Sequence, residues 1–144
     1  MRLRANDIFL SQLQRLVNHP LIIWGAAALW TALVVFLMLL PGEESLAEDF
    51  SASAGGSDLS DAIGHVILFG IMALLWQHVH RRYYPKQSPV FVMAAAIVLG
   101  AALEAAQIFV PFRGVTFLDA SANVLGVVGC WLFLQLAGHG IDQL

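Results

Sequence analysis

The chain has 144 residues, enough for one domain, of which 59% are hydrophobic and 12% charged, with a formal charge of −3. A soluble domain carries roughly twice that share of charge, about 25%, so these side chains could not cover a water-soluble surface and need lipid as their solvent. The absence of a basic cluster excludes a nucleic-acid binder, and a single cysteine, Cys130, excludes an intrachain disulfide.

Residues 1–19 come first. Leu3, Ile8, Phe9, Leu13, Leu16 and Val17 recur at roughly helical spacing among Arg2, Arg4, Asp7, Gln12, Gln14 and Arg15. The pattern predicts a short amphipathic helix lying in the headgroup region. Four stretches then approach the length of about 20 apolar residues that a membrane span needs, at about 21–40, 62–79, 90–110 and 117–137. Pro20 suits the first helical position of span one, and Pro41-Gly42 stops it. Ser88-Pro89 opens span three and Pro111 closes it. A basic start followed by an apolar run also raises a cleaved signal peptide, but the run is too long for a signal core. The expected fold is an all-α membrane protein: one domain over residues 1–144, a four-transmembrane-helix bundle with the N-terminal amphipathic helix attached. No internal repeat is read in it. Cys130, in an apolar run, is expected to be a packing residue.

Basic residues set the expected orientation. Arg2, Arg4 and Arg15 precede span one, and Arg81, Arg82 and Lys86 separate spans two and three. The loop between spans one and two carries Glu43, Glu44, Glu48, Asp49, Asp58 and Asp61 and no Lys or Arg. Of the seven basic residues only Arg113 falls on the acidic side. The positive-inside rule then predicts a multi-pass protein with both termini in the cytoplasm.

Polar residues inside the spans mark the candidate site, since each is costly in lipid. Asp61 and His65, four apart, share one helix face in span two. Glu104 and Gln107 share a face in span three, with Glu104 about 10 Å below the outer helix end at roughly 1.5 Å per residue. Asp119 and Asn123 repeat the four-residue spacing in span four. Asp58, Asp61 and Asp119 also stand where helices start, so capping is a competing role for each. A carboxylate as deep as Glu104 needs a cation, a proton or a hydrogen-bond network, and His65 and Arg113 are the available partners. The small residues Gly100, Ala101, Ala102, Ala105 and Ala106, with Ala120, Ala122, Gly126 and Gly129, predict that spans three and four form a tight hairpin. Gln77, His78 and His80 read as interfacial residues at the opposite end.

Asp61-x-x-x-His65, then Glu104-x-x-Gln107-x-Phe109-x-Pro111-x-Arg113, then Asp119-x-x-x-Asn123-x-x-Gly126 resembles the VanZ-like family of membrane proteins. The likeness covers about two-thirds of the chain, from span two through span four. One departure is visible: the glycine expected four residues after Gly126 is Cys130, and Gly129 comes one position early. The resemblance implies a protein of the bacterial cytoplasmic membrane, and the family's founding member is associated with resistance to teicoplanin, a lipoglycopeptide that binds cell-wall precursors. It names a neighbourhood in the cell envelope rather than a reaction.

Three functions compete on this reading. The first is an outward-facing polar pocket that binds or modifies a cell-envelope lipid or lipid-linked precursor. Asp61, His65, Glu104, Gln107, Arg113, Asp119 and Asn123 would line it, and the Arg113 fork would hold a phosphate or carboxylate. Its partners would be membrane lipids, a lipid-linked cell-wall precursor or a lipoglycopeptide, with no cofactor or resident metal and no nucleic acid. The second is an intramembrane enzyme acting on a lipid headgroup, with Asp61, His65, Glu104 and Asp119 as acids, bases or metal ligands. The third is a proton-linked carrier, disfavoured because the polar residues stop half-way through the bilayer.

Overall fold

The structure is a computed structural model that describes residues 19–41, 58–111 and 116–141, apart from the side chains of Asp58 and of residues 138–141. The expected amphipathic helix over 1–19 falls almost wholly outside the described residues, as does Arg113. Four helices make up the described chain: α1 Pro20–Leu39, α2 Asp58–Tyr83, α3 Val90–Gln107 and α4 Phe117–Ile141. All four are long and apolar enough to cross a membrane, and the protein is a multi-pass, all-α membrane protein.

The helix boundaries follow local chemistry. His19 is extended and Pro20 takes the first helical turn, where its missing N–H costs nothing. Leu40 is extended because Pro41 disfavours the helical region for the residue before it. α2 runs four residues beyond the predicted span at each end. At its far end His80, Arg81 and Arg82 meet the negative end of the helix dipole. α3 closes at Gln107, and a turn carries the chain to Pro111, where Phe109 N–H and Val110 N–H donate to the carbonyls of Ala106 and Gln107.

Contacts between named residues define the packing. Trp24 stacks edge-on against Trp76, whose Nε1 donates to Thr31 Oγ1 at 2.9 Å, and Trp30 Nε1 donates to the Leu68 carbonyl at 3.0 Å, so α1 and α2 run antiparallel. Gly100 faces Phe69 while Glu104 lies beside His65, which makes α3 antiparallel to α2. α4 returns parallel to α2, and these two non-consecutive helices share the most extensive interface in the bundle. At its centre a Cβ added to Gly126 would stand 2.4 Å from the Val66 carbonyl oxygen and 3.0 Å from the Gly70 nitrogen. Glycine is required there because backbone meets backbone. Spans three and four do pack, with Gly100 against the Asn123 Cβ, yet the closest approach involves α2. The small face of α4 serves two neighbours.

Val34, Met38, Phe69, Met72, Ala73, Ala96, Leu103 and Val127 form the central apolar core. Leu21, Leu29, Phe91, Phe133 and Leu136 are at least two-thirds exposed on the outer faces. So much apolar surface is consistent with lipid as the surrounding solvent. Cys130 is half-buried and packs against the core, as expected. Gly129, by contrast, has nothing within 4 Å of an added Cβ, so the shifted glycine changes no contact.

Candidate functional site

The predicted polar residues gather at the end of the bundle where α2 and α4 begin. Register explains the meeting. α2 and α4 are parallel and in step, so Asp61 and His65 on one face Asp119 and Asn123 on the other. The offset is 58 residues in both pairs. Asp61-Ala62-Ile63-Gly64-His65-Val66-Ile67 and Asp119-Ala120-Ser121-Ala122-Asn123-Val124-Leu125 share Asp, Ala and Val at matching positions.

His65, Glu104 and Asn123 come from three helices and are each at most 4% exposed. Asn123 Nδ2 donates to Glu104 Oε1 at 2.8 Å. That bond fixes the amide orientation, so Asn123 Oδ1 faces His65 Nδ1 at 3.0 Å. Glu104 Oε1 lies 3.5 Å from the same ring nitrogen. Two acceptors therefore converge on Nδ1, which must carry its proton and donate. The carboxylate that lipid would penalise is thus held inside the bundle within a polar network.

Above this layer, Asp61 Oδ1 is 4.0 Å from His65 Nε2. Asp119 is 5% exposed and completes the group: one ligating atom each from Asp61, His65 and Asp119 lie within 4.8 Å of one another. Asp119 also has the capping role that its position predicts, as partner to a neighbour. Its N–H donates to Thr116 Oγ1 at 3.1 Å, and the Thr116 hydroxyl donates to its Oδ2 at 2.5 Å. Thr116 is the capping residue, placed just before Phe117. The Asp119 side chain is thereby fixed toward α2.

Gln107 belongs to a different contact. It is 1% exposed, and its Nε2 donates to the Met38 carbonyl at 2.8 Å. That carbonyl lies in the last turn of α1 and lacks an intrahelical partner. Gln107 therefore ties α3 to α1 and is not among the groups that converge on His65.

At the opposite end Gln77 and His80 turn inward, at 1% and 6% exposed, where interfacial positions were expected. Only His78 of the three is exposed. Gln77 Nε2 donates to the Pro89 carbonyl at 3.3 Å and closes the turn between α2 and α3. Between the two polar ends lie Val34, Phe69, Met72, Ala73 and Val127, all at most 2% exposed. Among the described residues this apolar layer separates the two polar ends.

Compared with known proteins, the chain matches no family model, no curated protein and no solved structure.

Proposed function

We propose that the chain is a VanZ-like protein of the bacterial cytoplasmic membrane that binds the polar headgroup of an envelope lipid or lipid-linked precursor in an outward-facing pocket. One observation carries the reading: His65, Glu104 and Asn123, each a member of the motif resemblance, join in one buried network across three helices. Such a network is costly to keep in lipid unless it positions something. What it positions is the Asp61, His65 and Asp119 face above it. Arg113, tethered between Pro111 and Thr116 and outside the described residues, supplies the guanidinium for a headgroup phosphate.

The positive-inside rule supports the orientation. Arg81, Arg82 and Lys86 follow the far end of α2 and mark it cytoplasmic, so the Asp61 end faces outward. Both termini are then cytoplasmic. A link to lipoglycopeptide resistance follows from the resemblance, through occupancy or modification of the precursors that such drugs bind.

The test uses full-length protein in nanodiscs containing either a polyprenyl-phosphate-linked precursor or a zwitterionic phospholipid alone. Native mass spectrometry reads the retained lipid. Retention of the phosphate-bearing lipid by wild type and its loss in Arg113→Ala are expected. Equal retention by the two proteins removes the reading.

A further inference from the structure

We propose that Asp61, His65 and Asp119 form a binding site for a divalent transition cation, Zn2+ or Mn2+, whose open side takes a phosphate oxygen of the bound headgroup. The ion site stands on geometry alone; its use for a headgroup rests on the function proposed above.

The argument begins with the ring of His65. Asn123 Oδ1 and Glu104 Oε1 both face Nδ1, at 3.0 and 3.5 Å, so the proton of a neutral imidazole resides there. Nε2 then presents a lone pair. That atom belongs to a side chain 3% exposed. Asp61 Oδ1 lies 4.0 Å from it, and Asp119 brings a second carboxylate into the same group, whose ligating atoms lie within 4.8 Å of one another. An acceptor turned toward acceptors is unfavourable unless a cation or a proton lies between them. The 4.0 Å from Nε2 to Asp61 Oδ1 is too long for a hydrogen bond. Ligands held tetrahedrally by bonds of about 2.0–2.4 Å stand roughly 3.3–3.9 Å apart, so a bound ion would draw these two atoms together by a few tenths of an ångström.

The surroundings match what a ligating histidine requires. Such a residue gives its other ring N–H to a carboxylate or carbonyl, which fixes the tautomer and raises basicity. Here Asn123 and Glu104 supply that outer shell, and this accounts for a carboxylate placed so deep. Thr116 fixes Asp119 in the same manner, through Oδ2. The Asp61 side chain is 43% exposed, so the group is open on one side, as a site that accepts an exogenous oxygen must be. One imidazole and two carboxylates suit Zn2+ or Mn2+; three hard oxygens would have favoured Mg2+ or Ca2+.

The experiment uses chelator-stripped full-length protein in micelles, dialysed to equilibrium against Zn2+ or Mn2+ singly, with bound metal measured by mass spectrometry. The background is His78→Ala with Cys130→Ala, which removes an exposed imidazole and the thiol as adventitious ligands. About one ion per chain is expected. Asp61→Asn and Asp119→Asn should lose most of it, and Asn123→Leu should weaken binding about ten- to a hundredfold through the ring orientation. Circular dichroism and gel filtration check that each variant is folded. X-ray absorption on zinc-loaded wild type needs no variant and should show one imidazole, oxygen ligands and no sulfur. A folded wild type that retains no stoichiometric metal overturns the site, as does unchanged binding by both aspartate variants or a sulfur-containing shell. Lipid retention with and without chelator separates the two proposals. Metal binding without lipid retention removes the headgroup reading and leaves the ion site; retention unaffected by chelator removes the ion from headgroup recognition.

Discussion

Replacing Gly126 with alanine tests the α2–α4 interface at its tightest point. The added Cβ would lie 2.4 Å from the Val66 carbonyl oxygen, 3.0 Å from the Gly70 nitrogen and 3.2 Å from the Val66 carbonyl carbon. Ordinary contact begins at 3.4 Å, so the helices must part by about 1.0 Å, the difference between 3.4 and 2.4. All three neighbours are backbone atoms and have no rotamer to swing away. A radial gap of about 0.5–1 Å forfeits roughly a quarter to a half of each dispersion contact it touches, and overpacking of this kind costs about 1–3 kcal/mol. The backbone obstruction puts Gly126→Ala at the upper end, about 2–3 kcal/mol. The same displacement carried along the helices would stretch the 3.0 Å bond between His65 and Asn123 beyond hydrogen-bond reach. The assay is unfolding in mixed micelles of rising sodium dodecyl sulfate content, followed by tryptophan fluorescence. Gly70→Ala, whose nearest new contact is 3.5 Å, and Gly129→Ala, which has none within 4 Å, are the comparisons. Both should stay within about 1 kcal/mol of wild type, since alanine favours helix over glycine. A Gly126→Ala protein that unfolds at the wild-type midpoint, or a Gly70→Ala protein that is the weaker of the two, would refute the packing argument.

Three other outcomes follow from the buried polar contacts. Asn123→Leu removes the amide that links His65 to Glu104 and should destabilise the bundle by about 3 kcal/mol in the same assay, as breaking a buried charged network does; a loss below that of Gly126→Ala would mean that the network contributes little. Gln107→Leu strips the Met38 carbonyl of its donor and should cost about 1–3 kcal/mol, while precursor retention in nanodiscs stays at the wild-type level because Gln107 is not among the groups around His65. The Thr31→Val, Trp76→Phe double-mutant cycle should give a coupling of about 0.6 kcal/mol for the 2.9 Å bond between α1 and α2, and zero coupling would remove that bond as a tie between the helices.

Much of this architecture is legible in the sequence, for identifiable reasons. Apolar runs of about 20 residues announce the spans, with proline bounding the first and third, because lipid tolerates no unsatisfied backbone there. The i, i+4 pairs Asp61–His65 and Asp119–Asn123 show which residues share a face. Which faces then meet is another matter. Small residues in α4 say only that some backbone comes close, and the nearest partner in sequence is α3, whereas the closest contact is made with α2. Gln107 could not be assigned from its spacing, because its partner is a main-chain carbonyl of α1 that any residue supplies. Gln77 and His80 read as interfacial because one dimension records their depth in the membrane but not their direction around the helix. Asp119 carries both meanings at once, since its backbone and one oxygen serve the Thr116 cap while the carboxylate also faces His65.

The parallel pairing of α2 with α4 also bears on how the chain is made. Synthesis delivers helices in order, so α2 and α3 exist before the helix that completes them. Until α4 arrives, Glu104 lacks the Asn123 amide, His65 lacks its 3.0 Å acceptor, and the groove beside Val66 and Gly70 lies open. The half-made protein is therefore a membrane intermediate with an ionisable pair waiting for its third member. A nascent chain that stops before Asn123 would leave those groups to lipid, water or a membrane chaperone, and in doing so would display its own incompleteness.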